Sequence, residues 1–306
     1  MDQPSEIRVR VPASSANLGP GFDTLALALG LYLKCTLRKS AHGLKIAASG
    51  TDSREIPCDP SNLVYRAFRR WAEESGHENV ELEIQNEIPL GRGLGSSAAA
   101  IVAGLALANG WAGLNRSKEQ LIQVATEIEG HPDNVSAAVL GGLVMSCQGQ
   151  DGSVIALNCP FHAGLEVVVV VPEFRLSTEA ARAALPEQYS RRDAVFNIQR
   201  VALLVGALRD GRTELIAEAM QDRLHQPYRA RLVPGFDEVL KLSRIPGLLG
   251  VALSGAGPSV VALCDGRARE IGETIAGCFR KHAIEAAAMQ LPVDQQGLLA
   301  ERTPRK

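Results

Sequence analysis

The chain has 306 residues, 46% of them hydrophobic and 22% charged, with a formal net charge of -2. That balance suits a soluble enzyme of one large domain or two ordinary ones, and it supplies neither a basic stripe for a nucleic-acid backbone nor an acidic tail. The six cysteines (Cys35, Cys58, Cys147, Cys159, Cys264, Cys278) are scattered without a Cys-x-x-Cys pair, so they read as buried reduced thiols in a cytoplasmic protein.

The opening stretch MDQPSEIRVRVPASS has no apolar core, hence no signal peptide is expected. Ile7–Pro12 alternates as a half-buried strand, and Ala13–Asp23 reads as a loop. Strand-like stretches follow at Leu25–Arg38 and Leu44–Ala48. Asn62–Glu74 is an amphipathic helix with Val64, Ala67, Phe68 and Trp71 on one face and Arg66, Arg69, Arg70 and Glu73 on the other. Asp59 or Ser61 is its expected cap and Gly76 its stop. Val80–Gln85 alternates again.

A Gly-rich loop, Glu87–Ser97, opens into a helix from about Ser96 to Asn109, whose Ala- and Gly-rich run is too weakly hydrophobic for a membrane span. Ser117–Glu129 carries a capping box, Ser117 with Gln120, and Gly130–Asn134 breaks it before a restart at Val135–Leu140. The polar stretch Gln148–Gly164 marks a boundary, dividing the chain into domains at 1–158 and 159–306. Leu165–Val171 is a buried central strand. Helices are expected at Ser177–Leu185, Asp193–Leu208, Glu214–Gln221 and Arg267–His282, and short strands at Val251–Leu253 and Val260–Leu263. The polar end from about Gln295 reads as frayed. Strands and helices mix without regular βα alternation, which argues an α+β fold.

The strongest chemical signal is Pro89-Leu90-Gly91-Arg92-Gly93-Leu94-Gly95-Ser96-Ser97-Ala98-Ala99. Its glycines let the backbone bend sharply and approach a ligand, and the following helix points unpaired N–H groups back into the loop, a setting for a polyphosphate. Ser96 and Ser97 add hydroxyls for phosphate or Mg²⁺. No Gly-Lys-Ser/Thr is present, so this is no Walker A loop, and the G-x-G-x-G spacing is not the dinucleotide fingerprint. In Val11–Asp23, Asn17 offers a donor and an acceptor, and Asp23 a carboxylate for an ammonium or hydroxyl.

The Pro89–Ala99 loop resembles the ATP loop of the GHMP family of small-molecule kinases. Val11–Asp23 resembles that family's first motif, and Leu253-Ser-Gly-Ala-Gly-Pro-Ser259, with Gly255, its third. The resemblance implies a two-domain fold, ribosomal-protein-S5-like at the N-terminus and ferredoxin-like at the C-terminus, with ATP and Mg²⁺ as cofactors. It also implies a homodimer. The ribosomal-protein-like fold raises a nucleic-acid-binding module as a further reading, against which the charge balance and the 4% aromatic content speak; neither nucleic acid nor membrane is expected as partner.

Glu127-Ile-Glu-Gly-His-Pro-Asp-Asn134 resembles the H-x-D-N segment of the branch that phosphorylates L-homoserine, which implies that His131, Asp133 and Asn134 line the acceptor site. Relatives acting on mevalonate or galactose carry there an Asp read as catalytic base; Asn134 holds the place here, and an amide cannot accept a proton as a carboxylate does. A mechanism of positioning and charge neutralisation follows, with Asp133 as the alternative base. The match makes Glu129, with Ser97, the candidate Mg²⁺ ligand, Glu127 remaining open. The family patterns at Ser177–Pro186 and Pro227–Pro234 point to Arg182 and Arg229 for the substrate carboxylate. Thr178 is placed near the transferring phosphate, and Asn62 and Val64 beside the adenine. Another GHMP acceptor, or a non-catalytic regulator on the same fold, is the competing reading.

Overall fold

The structure is a computed structural model, and it describes residues 4–72, 79–162, 164–242 and 245–303. The described residues form two sheets. The first holds β1 (Glu6–Asn17), β2 (Gly21–Lys39), β3 (Lys45–Gly50), β4 (Val80–Asn86), β5 (Leu143–Gln148), β6 (Val154–Cys159) and β11 (Leu299–Thr303). Its main path runs β11-β1-β2-β4-β3, and the β5–β6 hairpin attaches through β2. The second sheet is smaller, in the order β10 (Ala286–Leu291), β7 (Glu166–Pro172), β9 (Val260–Cys264), β8 (Leu248–Leu253). The five consecutive valines of β7 lie between two neighbours and are buried, as a continuous apolar run requires.

Helices α1 (Leu63–Ala72), α2 (Ser96–Ala112), α3 (Lys118–Glu129) and α4 (Asp133–Leu140) belong to the first half. The second half carries α5 (Thr178–Ala183), α6 (Arg191–Asp210), α7 (Ile216–Ala219), α8 (Gln226–Arg229), α9 (Phe236–Val239) and α10 (Ala268–Arg280). Helix α2 is apolar almost all round and buried between α1, α3 and β1. Its small residues permit this packing: a β-carbon on Gly104 would lie 2.2 Å from the Val64 carbonyl of α1. Among the described residues no helix is long and apolar enough to cross a membrane.

Several local expectations need correction. Ala13–Asp23 is no open loop. Strand β1 continues to Asn17, and β2 begins at Gly21 after a tight turn, with register shifts at Pro12/Ala13 and Ala16/Asn17. Asn17 (φ 72) and Asp23 (φ 54) take left-handed conformations that short polar side chains tolerate.

The polar stretch after Gln148 is largely the second arm of the β5–β6 hairpin, whose alternation is masked by its exposed face. The polar tail is not frayed as far as it is described: Leu299–Thr303 pairs antiparallel with Glu6–Arg10, returning this strand to the first sheet and away from the proposed 159–306 unit, and the last three residues lie outside the described ones. Its side chains are exposed, and backbone pairing with β1 carries it along the sheet edge. Glu214–Gln221 is a single 3₁₀ turn and the short α7.

Asn62, not Asp59 or Ser61, caps α1, its Oδ1 accepting from the Tyr65 amide at 3.2 Å. The stop expected at Gly76 lies outside the described residues. The α3 capping box forms as expected. All six thiols are unpaired, but Cys58 and Cys147 are exposed, one in the turn before α1 and one on the outer face of β5.

Candidate active site

Three segments far apart in sequence converge at the N-terminus of α2. The loop before it is made of backbone in unusual conformations: Gly91, Gly93 and Gly95 all have positive φ, near 67°, 76° and 68°. Space as well as torsion demands glycine. A β-carbon at Gly95 would lie 2.1 Å from Ser14 Oγ, and one at Gly93 would lie 2.2 Å from the Ser254 carbonyl. The neighbours are bonded, not merely close. The Ser14 amide donates to Leu94 O at 3.1 Å, Ser254 Oγ donates to Gly93 O at 2.7 Å, and the Gly255 amide donates to Ala16 O at 3.0 Å.

Two cavities open on either side of Ser96 and Ser97. One, of about 230 Å³, is lined mainly by apolar groups, including Leu33, Ile56, Pro57, Val64 and Leu90, together with Asn62 and Asn86. The other, of about 210 Å³, is polar. It gathers Asn17, Asp23, Gly91, Gly93, Leu94, Gly95, Glu129, His131, Asp133, Asn134, Thr178, Arg182, Arg229 and Gly255 from the sequence-predicted set. Pro89, Arg92, Ala98 and Ala99 line neither cavity; the two alanines are fully buried in α2 and serve its packing. Gly257 of the third motif lines the polar cavity as well, and Leu176 and Ala256 line it without having been singled out.

Asp133 and Asn134 start α4, both buried. Asp133 Oδ1 receives the Asn134 amide at 2.6 Å and faces His131 Nδ1 at 2.8 Å. Asn134 Oδ1 accepts from Ser14 Oγ at 2.8 Å, a role for Ser14 that the sequence reading missed although it lies inside the first motif. Burial alone would lower the His131 pKa; the hydrogen bond and charge of Asp133, with Glu129 beyond, outweigh it and raise the value above the ordinary range.

Ser97 Oγ donates to Glu129 Oε2 at 2.7 Å. Burial raises the Glu129 pKa against the pull of that hydrogen bond, and no Lys or Arg forms an ion pair with it among the described residues. Glu127 turns instead to Gln123 at 3.2 Å, on the exposed face of α3. A hydroxyl and a desolvated carboxylate, both hard oxygen donors beside an anion loop, fit a Mg²⁺ ion that takes its remaining oxygens from phosphates and water.

Arg182 and Asp23, expected to receive opposite ends of a substrate, are bonded to each other through two hydrogen bonds of 2.7 and 3.0 Å. Arg229 differs. It is 2% exposed, and among the described residues its bonds go to neutral acceptors: Ala181 O at 3.2 Å, Gly255 O at 3.1 Å and His225 Nδ1 at 3.2 Å. Burial and the nearby Arg182 charge lower its pKa to about 10, so it remains a cation at neutral pH, and no carboxylate of the described residues is in ion-pair contact with it. The guanidinium carbons of Arg182 and Arg229 lie 5.6 and 5.2 Å from the Phe22 ring centroid, an aromatic contact absent from the sequence expectations.

The GHMP kinases N-terminal domain profile matches residues 62–142, and the GHMP kinases C-terminal profile matches residues 204–281. A homoserine kinase from Solibacter usitatus is 45% identical over 295 residues, covering 96% of each chain. The chain belongs to the GHMP kinases. A homoserine kinase from Desulfitobacterium hafniense is 46% identical, covering 95% of this GHMP kinase and 98% of that one. The crystal structure of homoserine kinase from Cytophaga hutchinsonii superposes with a TM-score of 0.86 at 33% identity, covering 98% and 99% of the two chains. The two lobes are thus the two halves of an α+β GHMP kinase, an ATP-dependent phosphotransferase.

Proposed function

We propose that this GHMP kinase transfers the γ-phosphoryl group of ATP to the side-chain hydroxyl of L-homoserine. The observation that carries the choice of acceptor is Arg229, a buried cation with no carboxylate in ion-pair contact among the described residues, facing the same cavity as Asp23 and Asn134. Leaving a charge buried and unpaired costs several kcal/mol, on the order of 3–5 when a partner is removed from such a site, so an anionic ligand is the natural complement. A mevalonate-type acceptor brings a carboxylate but no ammonium for Asp23. A zwitterionic hydroxy-amino acid supplies both.

The apolar cavity beside Asn62 and Val64 takes the adenine, and the Gly91–Ser97 backbone takes the phosphates at the α2 N-terminus. Ser97 and Glu129 hold Mg²⁺, which when bound neutralises charge on the phosphate oxygens. The acceptor carboxylate sits on Arg229, with Arg182 released to it as Asp23 turns to the ammonium. Asn134, fixed by Ser14, orients the hydroxyl toward the phosphate loop, and Thr178 at the start of α5 borders the transferred group.

Asn134 is no base, and Asp133 Oδ1 is engaged by the Asn134 amide and His131. The hydroxyl oxygen therefore attacks phosphorus as the bond to the ADP leaving oxygen breaks, and its proton passes late to an oxygen of the transferred phosphoryl group. A coupled ADP-release assay across homoserine, mevalonate, galactose and shikimate tests the assignment. Turnover with homoserine is expected; turnover with another acceptor and none with homoserine overturns it. Asp133→Asn tests the mechanism: loss of turnover at unchanged homoserine affinity would make Asp133 the base.

A further inference from the structure

His225 lies immediately before α8, and its side chain is fully buried. It lines neither of the two cavities beside the phosphate loop, and no sequence motif singles it out. Its two ring nitrogens nevertheless touch both halves of the acceptor site. Nε2 lies 2.7 Å from Gly19 O, in the turn between Asn17 and Asp23, and Nδ1 lies 3.2 Å from Arg229 Nη1.

The chemistry of the partners fixes the proton. A carbonyl only accepts, so Nε2 carries the hydrogen. A guanidinium only donates, so Nδ1 presents a lone pair. His225 is therefore neutral, in the Nε2–H form.

The imidazole is held on every side. Its ring stacks on Phe22 at 5.3 Å and 23° between planes. Asp222 Oδ2 is 3.5 Å from Nε2 and accepts the amides of His225 and Gln226 at 3.0 and 2.7 Å. Asn197 Nδ2 bonds both Asp222 Oδ1 and Pro20 O, at 2.7 and 3.1 Å, tying α6 to the same turn. The charged groups around the ring are thus Asp222, Arg229 and, farther off, Asp23.

We propose that His225 is a positioning residue: it touches no substrate, but it locks the Arg229 guanidinium to the Gly19 turn and so sets the distance between the cation and the carboxylate that read the acceptor. Arg229 without this bond keeps its two anchors on backbone carbonyls and its contact with the Phe22 ring, and loses its hydrogen-bonded link to the Gly19 turn. The proposal rests on the homoserine reading for its kinetic consequence and on the tautomer for its structural one.

The full-length enzyme is assayed with homoserine and ATP for His225→Leu and His225→Gln. A glutamine amide offers a donor for Gly19 O and an acceptor for Arg229; leucine offers neither. His225→Leu is expected to raise the homoserine KM by about tenfold or more, leaving the ATP KM within about twofold, and His225→Gln to recover most of that loss. Equal damage in both variants, an unchanged homoserine KM, or a parallel rise in the ATP KM would overturn the proposal. Should His225→Leu fail to fold, ¹⁵N imidazole shifts of the wild-type enzyme decide: the Nε2–H tautomer is expected at neutral pH, and an imidazolium or Nδ1–H form sinks the assignment. The homoserine reading fails separately, by absence of turnover in the wild type, whatever the tautomer.

Discussion

The phosphate loop and the acceptor site meet within one cavity but are built in opposite ways. The loop is contiguous, Gly91 to Ser97, and its working parts are backbone amides that any sequence with glycines at these positions presents. The acceptor site is made of side chains drawn from residues 17, 23, 134, 182 and 229, each placed by a different element. The loop should therefore be brittle to steric change, while the acceptor site should fail one function at a time.

The largest effect is expected from Gly95→Ala. The new β-carbon would collide with Ser14 Oγ in a backbone conformation of positive φ, and Ser14 is what holds Asn134. Both substrates should suffer, with kcat/KM falling by about 1,000-fold or more. Steady-state kinetics with each substrate varied in turn checks this; a loss confined to ATP would show that the two regions are less interlocked than the contacts indicate. Arg229→Met comes next. It removes the unpaired cation and should lower homoserine kcat/KM by about 100-fold while leaving the ATP KM almost unchanged.

Asp23→Asn gives a smaller but more discriminating result. In the unliganded site Asp23 occupies Arg182, so an acceptor carboxylate must compete for that guanidinium. The variant should raise the homoserine KM about tenfold, through loss of the ammonium partner. It should also lower the KM for 4-hydroxybutanoate, which is homoserine without its amino group, by about threefold, because Arg182 is set free. An unchanged KM for the hydroxy acid would mean that the ion pair costs nothing to open.

The same contrast explains what was legible in the sequence. Gly91, Gly93 and Gly95 announce themselves because only glycine suits such torsions. Amphipathic α1, the α3 capping box and the valine run of β7 are local patterns with local causes. The β5–β6 hairpin was hidden because Ile155 and Leu157 are exposed on a strand whose inward positions include alanine, which reverses the usual code. Strand β11 has wholly exposed side chains, so its pairing with β1 is invisible without the partner. Arg182 and Asp23 could each be named, but not their mutual bond across 159 positions. His225 had no signal beyond its place four residues before Arg229.

The smallest expected effect concerns stability, and it isolates His225 from the catalytic groups. Burial holds the His225 pKa below its ordinary value, so the folded protein keeps it neutral while the unfolded chain takes up a proton as pH falls through about 6.5. Its contribution is present above that pH and is lost in more acid solution. His131 acts in the opposite sense: its raised pKa adds stability below the unfolded value, which is lost as pH rises through the folded one. A wild-type melting curve alone would mix the two. Comparison with His225→Gln separates them, because glutamine does not titrate and His131 is common to both proteins. The Tm advantage of the wild type should therefore shrink, and can reverse, between about pH 8 and about pH 5.5. A pH-independent gap would mean that His225 titrates alike in the folded and unfolded chain, and a gap that widens in acid would mean that the fold holds it protonated, without the lone pair that holds Arg229.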